Sequence, residues 1–172
     1  CEITKLLRPF SYPELRFYII KTMIQQALDF LKSHIEVAFA TCEGGRPHIR
    51  AFQIMKQEST TLYFATSPKK QVYKQLHENP FIEIMASSDN EFVKCSGRAD
   101  FDVDDATQRW IYDHNAVLSR LYTSYDKMVY FKMNIEQMDH YDLRPTPPLF
   151  KHYDLTNNTE ANGYVGERYS KA

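Results

Sequence analysis

From residue 35 to residue 101 the chain alternates short β-branched or aromatic runs with turn residues, and that rhythm leaves few architectures open. Ile35–Thr41 (IEVAFAT) reads as a strand. Glu43-Gly44-Gly45-Arg46-Pro47 reads as a turn in which Gly-Gly supplies positive φ. His48–Lys56 (HIRAFQIMK) is the return strand of that hairpin, and Thr61–Thr66 (TLYFAT) is the third. Phe81–Ser87 and Phe92–Phe101 are the fourth and fifth, and Gly97 marks a bulge or bend in the fifth. A long apolar-alternating run, Lys127–Leu143, is the sixth.

Helical spacing appears in four places. From Glu14 to about Ser33, Ile20, Met23, Ile24, Ala27, Leu28 and Leu31 form one apolar face. A short helix is expected over Lys69–Glu78, with Ser67 as N-cap, Pro68 in the first turn and a stop at Asn79-Pro80. Asp102 or Asp104 caps a helix over Asp105–His114, and a further helical stretch follows through Leu121. The order α-β-β-β-α-β-β-α-α-β makes the chain mainly β with helices, a six-stranded antiparallel barrel rather than a doubly wound sheet. There is no G-x-G-x-x-G and no Walker A pattern among only five glycines, which excludes Rossmann and P-loop readings. Residues 1–13 are expected as an N-terminal arm, 14–144 as the domain, and 145–172 as a polar C-terminal extension with an arm or partly disordered tail from Thr156.

A net charge of −1 provides no basic field for nucleic acid, so none is expected as a partner. No apolar run reaches the roughly 18 residues of a membrane span, and no secretory signal is visible. Cys1, Cys42 and Cys95 are odd in number and lack C-x-x-C spacing, so reduced thiols in a cytoplasmic protein are the expectation. His140-Tyr141-Asp142-Leu143 and His152-Tyr153-Asp154-Leu155 echo each other, but a strand end and an arm explain them more simply than a metal site, and no metal is expected.

The segment from Arg50 to Pro80 carries the chemistry. A phosphate monoester needs charged forks, hydroxyl donors and free backbone N–H groups together. The N-terminus of the helix after Thr66-Ser67 supplies the N–H groups and a favourable dipole. Arg50 adds a bidentate fork, and Lys69 or Lys70 a point charge. Taken alone, the same residues also suit ordinary capping beside a solvated charge pair.

Several segments in order are similar to the flavin mononucleotide (FMN)-binding split barrel of the pyridoxamine 5'-phosphate oxidase-like superfamily. They are Ala27–His34 before a strand ending Ala40-Thr41, Gly45–Phe52 (GRPHIRAF), Leu62–Thr66 with Lys69-Lys70 and Tyr73–Pro80, then Phe81–Ile84 and Ser96–Ala99. The resemblance implies a six-stranded split barrel that binds FMN at a homodimer interface. It implies that Arg50 contacts the FMN phosphate, and that Ala51, Phe52 and Gln53 lie along the isoalloxazine. Phe64, Ala65, Thr66 and Ser67 would flank the ribityl chain and phosphate, with Lys69 or Lys70 completing the site; the spacing to Asn79-Pro80 favours Lys70. An aromatic of the second subunit, from Trp110, Phe150 or Tyr153, would cover the flavin. Pro145–Ala172 lacks the Arg- and His-containing segment with which the oxidase grips pyridoxal phosphate, so the resemblance points to the short flavoproteins of the superfamily. The implied activity is an FMN-dependent oxidoreductase that moves hydride or electrons from a nicotinamide donor to a small acceptor. The rival is a flavin- or haem-binding or stress-related module without turnover. No catalytic acid or base is singled out.

Overall fold

The computed structural model describes residues 24–163. Residues 24–33 form helix α1, which buries Ala27, Leu28 and Leu31; the upstream part of the expected helix and the expected arm at 1–13 lie outside the described residues. Strands β1 (Glu36–Glu43) and β2 (Arg46–Gln53) follow as an antiparallel hairpin. Gly44 and Gly45 turn it at φ of 56° and 77°, values that glycine adopts without strain. Alternate residues of β1 (Val37, Phe39 and Thr41) point inward, as the two-residue period of a half-buried strand demands.

The second expected strand, His48–Lys56, is divided. It ends at Gln53, crosses over through Ile54 and Met55, and resumes as β3 (Lys56–Glu58) beside β4 (Thr61–Thr66). The crossover has backbone partners on both sides: Ile54 N–H donates to Ile35 O (2.8 Å) and Met55 N–H to Tyr63 O (2.8 Å). Helix α2 (Gln71–Glu78) leads to β5 (Phe81–Ser88) and β6 (Glu91–Asp100). Helices α3 (Asp105–His114) and α4 (Ala116–Leu121) precede the long β7 (Val129–Asp142). Asp104 caps α3 by accepting from Thr107 N at 2.8 Å, which resolves the choice left open between Asp102 and Asp104.

The strand order is β2-β1-β5-β6-β7-β4-β3. Its first and last strands are consecutive in the chain but do not pair. The sheet therefore curls without closing, as in a split barrel with six main strands. Phe39, Phe52, Phe64 and Phe131 meet inside it, with ring centroids 4.5 Å apart for Phe39–Phe52 and 5.4 Å for Phe64–Phe131. Gly97 lies at the register shift between β6 and β7, where an added Cβ would meet Asn134 O at 2.4 Å. Only glycine permits that approach.

Two expectations need correction. Helix α2 starts at Gln71 with Lys70 as N-cap, because residues 67–70 close a turn through Lys70 N–H to Ser67 O (3.0 Å). Ser67 does not cap the helix, and Pro68 stands outside it. The expected tail contains structure too. β8 (Leu149–Asp154) pairs with β7, and β9 (Thr159–Gly163) pairs with β8, so nine strands are present among the described residues rather than six. Among the same residues, no helix is long and apolar enough to cross a membrane.

Candidate functional site

The crossover at Ile54–Met55 leaves a concavity between the outer face of β1–β2, the end of β4 and helix α4. It encloses about 690 Å³. Of the residues singled out from the sequence, Arg50, Ala51, Phe52, Gln53, Ala65, Thr66 and Lys70 line it. Phe64, Ser67 and Lys69 do not. Phe64 is fully buried among the core rings, because neighbouring residues of a strand face opposite sides and Ala65 takes the outer one. Ser67 Oγ accepts from Lys69 N at 3.3 Å, and the Lys69 side chain is exposed.

The opposite wall was not foreseen. Val117, Leu118 and Leu121 of α4, with Tyr122, Met55 and Met128, form an apolar surface across from Ala38, Ile49 and Ala51. The helical spacing of Leu118 and Leu121 could have indicated one apolar face, though not what it would border. Two bonds hold this wall in place: Asn115 Nδ2 donates to Met55 O (3.3 Å), and Tyr112 Oη donates to Tyr122 O (2.7 Å).

At the polar end, Arg50 Nη1 donates to Thr41 Oγ1 and Nη2 to Gln75 Oε1, both at 2.9 Å. Thr41 Oγ1 itself donates to Gln75 Oε1 at 2.7 Å. Gln75 Nε2 donates to Glu43 Oε2 (2.9 Å), and Gln71 Nε2 donates to Glu43 Oε1 (2.7 Å). These bonds hold the Glu43 carboxyl below its usual range, the Gln75 amide most of all. Burial lowers the Arg50 guanidinium from 12.5, but arginine remains charged in proteins. Neither Arg50 nor Lys70 forms an ion pair among the described residues.

One more polar atom completes the picture. Thr66 is 2% exposed, and its hydroxyl has no hydrogen-bond partner among the described residues. A buried hydroxyl left unmatched costs about 1–3 kcal/mol, so an orphan that shares a cavity with two cations lacking an ion pair among the described residues suits a bound anion. The arrangement can therefore hold a phosphate monoester at one end and a flat apolar group along the other.

Trp110, Phe150 and Tyr153, expected as covers from a second subunit, do not line this chain's own cavity. Phe150 and Tyr153 are buried within this chain. Trp110 is at the surface, stacked on His114 at 4.1 Å, with Lys56 Nζ 4.9 Å over its ring. In the His-Tyr-Asp-Leu echo, His140 pairs with Glu91 and His152 with Asp139. Among the described residues no three His, Cys, Asp or Glu side chains group as metal ligands would. Cys42 and Cys95 are free thiols, and burial pushes the Cys95 thiol up; Cys1 lies outside the described residues.

Residues 23–140 match the sequence pattern of the family described as Pyridoxamine 5'-phosphate oxidase. No curated protein matches the chain. Three solved structures are similar in fold. A pyridoxamine 5'-phosphate oxidase-related, FMN binding protein from Nostoc punctiforme is 17% identical with a TM-score of 0.67, over 94% of this chain and 98% of that one. A protein related to general stress protein 26 from Clostridium acetobutylicum is 15% identical with a TM-score of 0.67, over 81% and 99%. PhzG from Burkholderia lata, solved with tetrahydrophenazine-1-carboxylic acid, is 15% identical with a TM-score of 0.57, over 91% and 93%.

Proposed function

Given that the chain belongs to the pyridoxamine 5'-phosphate oxidase family, we propose that it is an FMN-dependent oxidoreductase that binds its flavin between two copies of itself. The observation that carries this reading is the orphan Thr66 hydroxyl in the same cavity as an arginine whose hydrogen-bond partners among the described residues are neutral. Arg50 supplies the fork for the phosphate, and Lys70, the N-cap of α2, a point charge. Lys70 is preferred to Lys69 because it lines the cavity. Ala51, Phe52 and Gln53 run along the ring system, with Ala65 and Thr66 beside the ribityl chain. Phe64 supports that wall from inside the core.

When bound, the flavin would accept hydride or electrons from a nicotinamide donor and pass them to a small acceptor. The chain's own part is to bind, orient and exclude water. The apolar wall of Leu118, Leu121 and Met128 lowers the local dielectric around the ring, while Arg50 and Lys70 fix its phosphate end. Ile49 is 74% exposed on this chain and borders the same cavity, which is where a second subunit would close the site.

The test is spectroscopic. The purified protein should carry the visible absorption of oxidised flavin, bleach with NADH or NADPH under anaerobic conditions, and recover in air. Flavin that stays oxidised with either donor would make the chain a flavin-binding module without turnover. A haem spectrum, or a colourless protein that takes up no FMN, would contradict the reading altogether.

A further inference from the structure

Gln75 is 1% exposed and is not part of the cavity lining. Its amide is nevertheless the hinge of the polar end. Glu43 can only accept hydrogen bonds and the Arg50 guanidinium can only donate them. The amide therefore has one admissible orientation, nitrogen toward Glu43 and oxygen toward Arg50, whichever way its two atoms are assigned. Gln71, one turn earlier on α2, grips the other Glu43 oxygen, so the carboxylate is clamped by both amides.

Without the amide, the Glu43 carboxylate, held then by Gln71 and His48 alone among the described residues, could turn to pair with Arg50. Such a pair would orient the guanidinium but neutralise it. With the amide in place, Arg50 is oriented by two neutral oxygens, Thr41 Oγ1 and Gln75 Oε1. Arginine has five N–H donors, and these bonds use only part of them. The rest, with the full positive charge, have no partner among the described residues and are available to the cavity that Arg50 lines.

We propose that Gln75 is a positioning residue. It aims Arg50 at the phosphate of the ligand and keeps Glu43 one amide away, so that the guanidinium stays uncompensated. This rests on the FMN reading above and concerns the phosphate end alone.

The experiment compares FMN with riboflavin, which lacks the phosphate, on the full chain stripped of flavin. Gln75→Glu keeps the size and shape of the side chain but sets a carboxylate against Arg50. Gln75→Met keeps the length and removes the polar atoms. Both variants should lose most of the parent's preference for FMN over riboflavin, by roughly 10- to 150-fold, the ratio to which a hydrogen bond to a charged group corresponds. Riboflavin affinity should stay within about twofold of the parent, a split that mere loosening of the fold would not produce. Variants that fold and keep the parent's preference would overturn the role of Gln75 while leaving the FMN reading intact. A parent that binds the two flavins equally would overturn the FMN reading itself. Should neither variant fold, side-chain nitrogen NMR of the parent decides: the Gln75 amide and Arg50 guanidinium signals should move with FMN and not with riboflavin, and signals that stay in place with both would overturn the proposal.

Discussion

Among the described residues, the buried charges of β6, β7 and β8 meet opposite charges, whereas at the junction of β1, β2 and α2 the half-buried cation donates to neutral oxygens. The first cluster centres on Asp139, 2% exposed, which meets Lys94 at 3.1 Å and the His152 ring. Burial raises the Asp139 carboxyl, but the bonds from His152 and Lys94 outweigh it and leave the group below its usual range. Beside it, Glu91 joins His140 and Arg144, and Arg144 holds Asp142. The second cluster is Arg50 with Thr41 and Gln75, and Glu43 one amide further out. A cluster whose charges cancel holds a fold together. A cluster that orients a cation without cancelling it, on a cavity that an orphan hydroxyl also lines, leaves that charge to act on a ligand, as proposed above.

The largest effect should come from breaking the cancelled cluster. Asp139→Ala strips Lys94 and His152 of their shared carboxylate and should cost about 3 kcal/mol of stability, read from urea unfolding. The flavin preference should not change; if it did, the two clusters would not be separable.

Next is Arg50→Ala. It should weaken FMN binding by about 1.5–3 kcal/mol in a fluorescence titration and leave riboflavin nearly unaffected. An equal loss for both flavins would make Arg50 a structural residue like those of the other cluster.

Thr66→Val sharpens the contrast through opposite signs. Removing an unmatched buried hydroxyl should stabilise the flavin-free protein by about 1 kcal/mol in thermal unfolding, while FMN binding weakens by about 0.5–1.5 kcal/mol. A Thr66→Val protein less stable than the parent without flavin would show that the hydroxyl is satisfied in solution.

The smallest effect is acid sensitivity. The Arg144 bonds hold Asp142 at about 2, below its ordinary 3.8. Its contribution is therefore full above pH about 4 and fades as pH falls toward 2. The Arg144→Ala protein should lose part of that acid-dependent slope, and only a small part, because the pair is largely solvated. Arg50 does not titrate in this range, so the same acid series should not alter the charge on its side of the comparison.

Much of the barrel was legible because its strands carry their own pattern. The inward alternation of Val37, Phe39 and Thr41, the Gly44-Gly45 turn and the Gly97 bulge are local facts that the fold obeys. β8 and β9 were not legible. The second of them, Thr159–Gly163 (TEANG), has almost no apolar residue; β8 is extended because β7 offers an edge to pair with, and β9 because β8 does. That Thr66 and Lys70 border one cavity was legible because a strand end and the start of the following helix must lie close together; Arg50, on β2, entered as a charged fork and through the resemblance of Gly45–Phe52. The meeting of Gln75 and Glu43 was not legible, since it depends on how α2 settles against β1. The stretch 64–67 was expected to flank the ligand as a block, but strand alternation turns Phe64 inward and Ala65 outward.

The most direct measurement is a parallel titration of the flavin-free full chain with FMN and riboflavin at low salt. FMN should bind at least roughly tenfold more tightly, and replacing Arg50 by alanine should close the gap. Equal affinities in the parent, or a gap that survives the loss of Arg50, would contradict the account.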